Sequence, residues 1–138
     1  MALRMKGHAR NVMTERVTAV GPDTPLEAVA RILVAGRFGG VPVVGPDGKV
    51  LGFLSEKDLM TALLQSSNAD RAAGDVMARE PTVIDEFETT DAVMALMRDR
   101  QVDHVLVARE GRLVGIITPL DVLRFFVEHV IPPPPEVG

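Results

Sequence analysis

Gly52-Phe53-Leu54-Ser55-Glu56-Lys57-Asp58 returns as Gly115-Ile116-Ile117-Thr118-Pro119-Leu120-Asp121, and this recurrence decides the architecture. Each stretch passes from apolar residues through a small hydroxyl residue to an aspartate three positions on, the grammar of a strand running into a helix. Farther out, Asn11-Val12-Met13 returns as Asp75-Val76-Met77. The offsets are 63 and 64 residues, so a single-residue insertion or deletion separates two otherwise equal units. An internal repeat of this kind means two copies of one small supersecondary unit. A unit of about 60 residues buries too small a fraction of its surface to be stable alone, so the two sheets are expected to pack together. The resulting boundaries are an N-terminal segment over 1–10, a first unit over 11–65, a linker over 66–73, a second unit over 74–130 and a proline-rich tail over 131–138.

The 138 residues are 46% hydrophobic, enough for a folded core. A net charge of −4 with interspersed signs, 4% aromatic residues and no Trp or Tyr leave neither an electrostatic footprint nor stacking platforms for nucleic acid. Nucleic acid is therefore not expected as a partner. No apolar run approaches the roughly 18–20 residues that span a bilayer, and the basic start, Met1 to Arg10, has no apolar signal core. With no cysteine for disulfides or thiolate chemistry, the expected setting is cytoplasmic, with no membrane partner. Catalysis is not expected either. His8, His104 and His129 are scattered without metal-ligand spacing, and neither a serine elbow nor Gly-x-x-x-x-Gly-Lys occurs.

Within the first unit, Thr24-Pro25-Leu26-Glu27 predicts a helix start, with Thr24 as cap, Pro25 at the first helical position and Glu27 bonding back. Leu26, Val29, Ala30 and Leu33 then share one face, and the helix is predicted to end near Gly36. Val41-Pro42-Val43-Val44 reads as an inner strand, Gly45-Pro46-Asp47-Gly48 as a turn and Val50 to Leu54 as the returning strand. A second helix is predicted from Glu56 to about Leu64 with Leu59, Met60 and Leu63 inward. Val17-Thr18-Ala19-Val20 is read as the leading strand, giving the order strand, helix, hairpin, helix. The second unit repeats it. Pro81 to Ile84 is extended, a helix covers Thr90 to Arg100, strands cover His104 to Ala108 and Arg112 to Ile117 about an Arg109-Glu110-Gly111 turn, and a last helix begins at Pro119 and stops at Pro132. That helix carries Leu123, Phe126 and Val130 toward a partner surface.

Taken together, the Asp-Val-Met leader, the Val-Pro-Val-Val strand and the doubled Gly-x-x-[Ser/Thr]-x-x-Asp exit resemble a tandem pair of CBS domains, over nearly all of Asn11 to about Arg124. The resemblance implies an α/β (α+β) fold of two pseudo-symmetric βαββα units. It also implies a cleft between them that takes an adenosine-containing regulatory ligand such as AMP, ADP, ATP or S-adenosylmethionine, with no required cofactor and no catalysis. Such pairs commonly assemble as flat homodimers through their helices. The regulated activity is then expected on another, unidentified protein. The alternative is a ligand-free module for dimerisation or protein interaction, which the apolar residues Met60, Leu64, Phe125 and Phe126 also suit.

Each exit runs from a strand into a helix start, where unpaired N–H groups and the helix dipole favour a phosphate. The hydroxyls of Ser55 and Thr118 can donate to phosphate oxygens, and the carboxylates of Asp58 and Asp121 can accept both hydroxyls of a ribose. By resemblance, these four match the family's phosphate and ribose contacts. Ser55-x-x-Asp58 and Thr118-x-x-Asp121 are equally ordinary capping patterns, and both readings stay open. Lys57 is placed to neutralise a phosphate, where the second copy has Leu120, and His104 is a further candidate donor. The segments holding Thr18 and Thr82 are where the family meets adenine. Gly36-Arg37-Phe38-Gly39-Gly40 gives way to Asp99-Arg100-Gln101-Val102-Asp103 in the second copy, so the number of ligands per chain, one or two, also stays open.

Overall fold

The computed structural model describes residues 6–65 and 70–136; the first half of the expected linker, 66–69, and both chain ends lie outside them. In chain order the elements are α1 (Ala9–Val12), α2 (Leu26–Gly36), β1 (Gly40–Val44), β2 (Val50–Ser55), α3 (Glu56–Leu64), α4 (Ala73–Val76), β3 (Val83–Asp85), α5 (Thr90–Arg100), β4 (Val105–Arg109), β5 (Arg112–Ile117) and α6 (Pro119–His129). This is an α/β fold of small sheets. β1 and β2 form an antiparallel pair, and β3, β4 and β5 form a second sheet in that order with β3 parallel to β4. Among the described residues no helix is long and apolar enough to cross a membrane.

Two compact units result, and they cut across the sequence repeat. The first-repeat unit takes residues 17–65, 70–81 and 110–113; the second-repeat unit takes 6–16, 82–109 and 114–136. Each has its own core. In the first it is built on Leu26, Val29 and Leu33 of α2, Val41, Val43 and Leu54 of the hairpin, and Leu59 and Ala62 of α3, with Ala73 of α4. In the second it holds Val93, Val105, Val107, Ile117 and Phe125, with Ala9 and Val12 of α1. The leading helix of each sequence repeat is therefore built into the core that belongs to the other repeat.

Backbone hydrogen bonds explain why these short helices settle there. Ala9 N–H donates to Glu88 O at 2.7 Å and Thr90 N–H to Gly7 O at 3.1 Å; correspondingly, Ala73 N–H donates to Thr24 O and Gly74 N–H to Pro22 O, both at 2.8 Å. The chain after each helix then pairs with a hairpin edge, Thr14 with Ile116 and Ala78 with Phe53. That close approach accounts for the recurring glycines: a Cβ on Gly115 would overlap the Met13 side chain, and one on Gly52 would meet the Ala78 carbonyl.

The structure differs from the sequence expectations in several places, beginning with the short helices α1 and α4, which the sequence reading does not predict. The Thr24 capping box does not form; Pro25 is the N-cap of α2 without a side-chain bond, while Leu26 N–H donates to Arg71 O at 3.3 Å and Thr24 O accepts from Ala73 N–H at 2.8 Å. Val17 to Val20 contributes only a single parallel bridge, Val20 to Val43, in place of a strand. Met60 and Leu63 face outward from α3, whose inward face is Leu59 and Ala62, four residues' arc being too wide for one narrow helix contact. Phe125 completes the second core and is not available to a partner.

Candidate functional site

In the first-repeat unit, β2 ends at Ser55, opposite Gly40 of β1, and α3 begins at once. Glu56 N–H donates to Gly39 O at 2.9 Å, so the first of the helix's orphan donors is already taken. Ser55 is the N-cap; its Oγ accepts from Asp58 N–H at 3.1 Å. The hydroxyl proton stays available for another acceptor. The Asp58 side chain is exposed, and among the described residues nothing bonds its carboxylate. Lys57 is exposed in the same first turn. Thr18, also exposed, precedes Val20, which lies on the side of β1 away from β2.

The second-repeat unit builds the same exit differently. Thr118 caps α6, and Asp121 is only 3% exposed. Its Oδ1 accepts from Thr14 Oγ1 at 2.6 Å and from Arg124 Nη1 at 3.0 Å, and its Oδ2 accepts from Thr118 N–H at 2.9 Å and Thr118 Oγ1 at 3.0 Å. A carboxylate has about four acceptor positions, and all are used. The His104 ring, largely buried, contacts Asp103 Oδ1 through Nδ1 at 3.0 Å. Thr82 is half-buried, its carbonyl accepting from Leu106 N–H at 2.9 Å.

The structure thus gathers Thr18, Ser55, Lys57 and Asp58 in one unit and Thr82, His104, Thr118 and Asp121 in the other. Thr14 and Arg124 were missed by sequence reasoning. The signal was present: Thr14 stands where the other repeat has Ala78, and Arg124 lies three residues after Asp121, where the other repeat has Thr61. Glu86 was missed as well. It is buried and bidentate to Arg109 at 2.5 and 2.8 Å; those hydrogen bonds, with the charges of Arg109 and Arg10, hold its carboxyl below the usual range against the opposing effect of burial. Its carbonyl also accepts from Arg10 N–H, which ties α1 to the β3–α5 loop.

Beside the first exit, α2 and α3 border an open groove of about 670 Å³, with Leu33, Val34, Phe38, Met60, Leu63 and Leu64 among its walls. Among the described residues no group of three or more His, Cys, Asp or Glu is placed to hold a metal ion.

Comparison with known proteins adds the family. The model of the CBS domain matches twice, over residues 9–65 and 73–128. The chain is similar to hypoxic response protein 1 of Mycobacterium tuberculosis, with 31% identity over 125 residues, covering 89% of this chain and 87% of that protein. Its fold is similar to that of CBSX2, crystallised in complex with AMP, at a TM-score of 0.81 and 24% identity, covering 88% of this chain and 97% of the other. It is likewise similar to the CBS domain pair of MJ0100, crystallised with 5′-methylthioadenosine and S-adenosyl-L-methionine, at a TM-score of 0.76 and 24% identity over 88% and 97% of the two chains.

Proposed function

The chain belongs to the CBS-domain family as a tandem pair, and from that premise we propose that it is a regulatory module binding an adenine nucleotide or another adenosyl ligand. The observation that carries this reading is the first strand exit, where a capped helix start presents an exposed carboxylate beside a hydroxyl and an ammonium group. Asp58 accepts the ribose hydroxyls, Ser55 donates to a phosphate oxygen and Lys57 neutralises its charge. The segment around Thr18, in the same unit, supplies the adenine contact that the family uses. Support also comes from the adenosyl ligands of CBSX2 and MJ0100, proteins that share the fold. Binding regulates by favouring one arrangement of the chain over another, the response being read by a partner protein.

Isothermal titration of nucleotide-stripped protein with AMP, ATP, S-adenosylmethionine and NAD tests this. Saturable binding of an adenosyl compound is expected, and Asp58→Ala is expected to weaken it about tenfold or more, since hydrogen bonds to a charged group contribute about 1.5–3 kcal/mol. No heat with any of the four, together with an unchanged melting temperature, would sink the reading.

The groove between α2 and α3 favours a second property, association of two copies. Val34 of α2 and Leu64 of α3 are 79% and 78% exposed and Met60 of α3 55%, more apolar surface around one groove than a lone chain gains by showing. We infer a homodimer through this face, compatible with ligand sensing or with association alone. Leu64→Asp with Met60→Asp is expected to halve the mass seen by sedimentation while leaving the far-UV circular dichroism unchanged; an unchanged mass refutes the interface.

A further inference from the structure

The same pattern, Ser/Thr-x-x-Asp, occurs at both strand exits, but the two aspartates live in opposite circumstances. Asp58 is exposed with its carboxylate turned to solvent, whereas Asp121 is 3% exposed with every acceptor position filled from inside the protein. We propose that Asp121 is a structural lock, fastening residues 13–16 to the start of α6, and that the adenosyl ligand is taken at the first repeat alone, one per chain. The one-per-chain part rests on the nucleotide-binding reading above. The lock does not.

Two substitutions between the repeats create the difference. The residue pairing with the hairpin edge is Thr14 in the second-repeat unit and Ala78 in the first, so only Asp121 receives a hydroxyl from across the sheet. Three residues after each aspartate stand Arg124 and Thr61, so only Asp121 receives a guanidinium. A ribose diol arriving at Asp121 would have to displace donors already 2.6 to 3.0 Å from its oxygens, exchanging made bonds for equivalent ones while stripping Thr14 and Arg124 of theirs. At Asp58 the same diol displaces only water. A buried carboxylate needs its partners, which explains why Asp121 is retained without a ligand to hold.

The lock is tested in ligand-free protein by a thermal double-mutant cycle with Thr14→Val, Asp121→Asn and both together. Each single change is expected to lower the melting temperature by about 5 °C. The pair should lower it no further than the larger single effect, and Thr14→Ser should restore it. Additive losses, or no loss with Thr14→Val, overturn the lock. AMP titration then tests the allocation. One AMP per chain is expected, unchanged in Thr14→Val and lost when the first exit is made to resemble the second by Ala78→Thr with Thr61→Arg, although Asp58 itself is untouched. Two AMP per chain, or a site lost in Asp121→Asn alone, overturns the allocation while leaving the nucleotide reading intact. A wild-type protein that binds no AMP and none of the other adenosyl compounds overturns that reading and the allocation together, and the melting cycle alone then judges the lock.

Discussion

Divided within residues 66–69, the two halves of the chain are expected to lack cooperative structure when produced separately and to recover it when mixed in equal amounts. The first half keeps the α2, β1–β2 and α3 part of its core but loses Ala73 of α4, and the edge of β2 loses the backbone bonds between Phe53 and Ala78. In the second half the loss is of Ala9 and Val12 from the core around Val93, Val107 and Ile117, together with the Thr14–Ile116 pairing. Chains of about 60 residues bury only about 60% of their unfolded surface and have little stability to spare. Each half would also carry its own leading helix with nothing to dock on. Urea titration followed by circular dichroism is the measurement. A sigmoidal transition in either half alone would mean that the exchanged helices contribute little, and absence of recovery on mixing would mean that the halves need to be covalently joined.

Leu54→Ala is expected to destabilise the whole chain by about 2–5 kcal/mol, the range for deleting a large side chain from a core that cannot collapse around the gap. Leu54 is 0% exposed on β2, faces Val41 across the hairpin and belongs to the cluster with Val29, Leu33 and Leu59. Against a total stability of about 5–15 kcal/mol, such a loss brings the protein close to unfolding at ordinary temperatures. A fall in the urea midpoint with an unchanged slope is the expected signature. Thr61→Ala, exposed on α3, is the internal control and should shift stability by less than about 0.5 kcal/mol. Equal effects of the two changes would contradict the core position of Leu54.

Much of this architecture is legible in the residues. The recurrence of Gly52 to Asp58 as Gly115 to Asp121 foretells two units, and the predicted spans for α3, α5 and β5 coincide with those observed. These elements are announced locally, by a hydroxyl cap, an apolar period and a turn residue, all within a few positions of one another. The Arg109-Glu110-Gly111 turn is of this kind, with Glu110 and Gly111 at φ of 53° and 80° where a tight hairpin demands positive values. Where the sequence misled, a distant group had replaced a local one. Thr24 looks like a cap, yet the start of α2 is held from afar, Leu26 N–H donating to the carbonyl of Arg71, 45 residues further along.

The site divides along the same line. Ser55, Asp58, Thr118 and Asp121 are marked by spacing alone, because helix-start chemistry and phosphate chemistry use the same residue types. Spacing cannot distinguish the two aspartates. That distinction depends on Thr14, 107 residues from Asp121, and on the burial that makes a filled carboxylate costly to open. By itself, then, the sequence determined the repeat, most of the longer helices and hairpin strands, and the family, since these are written in short-range patterns and their recurrence. Only the tertiary structure decided which core each leading helix enters and which carboxylate remains free, because those outcomes are set by contacts between residues far apart in the chain.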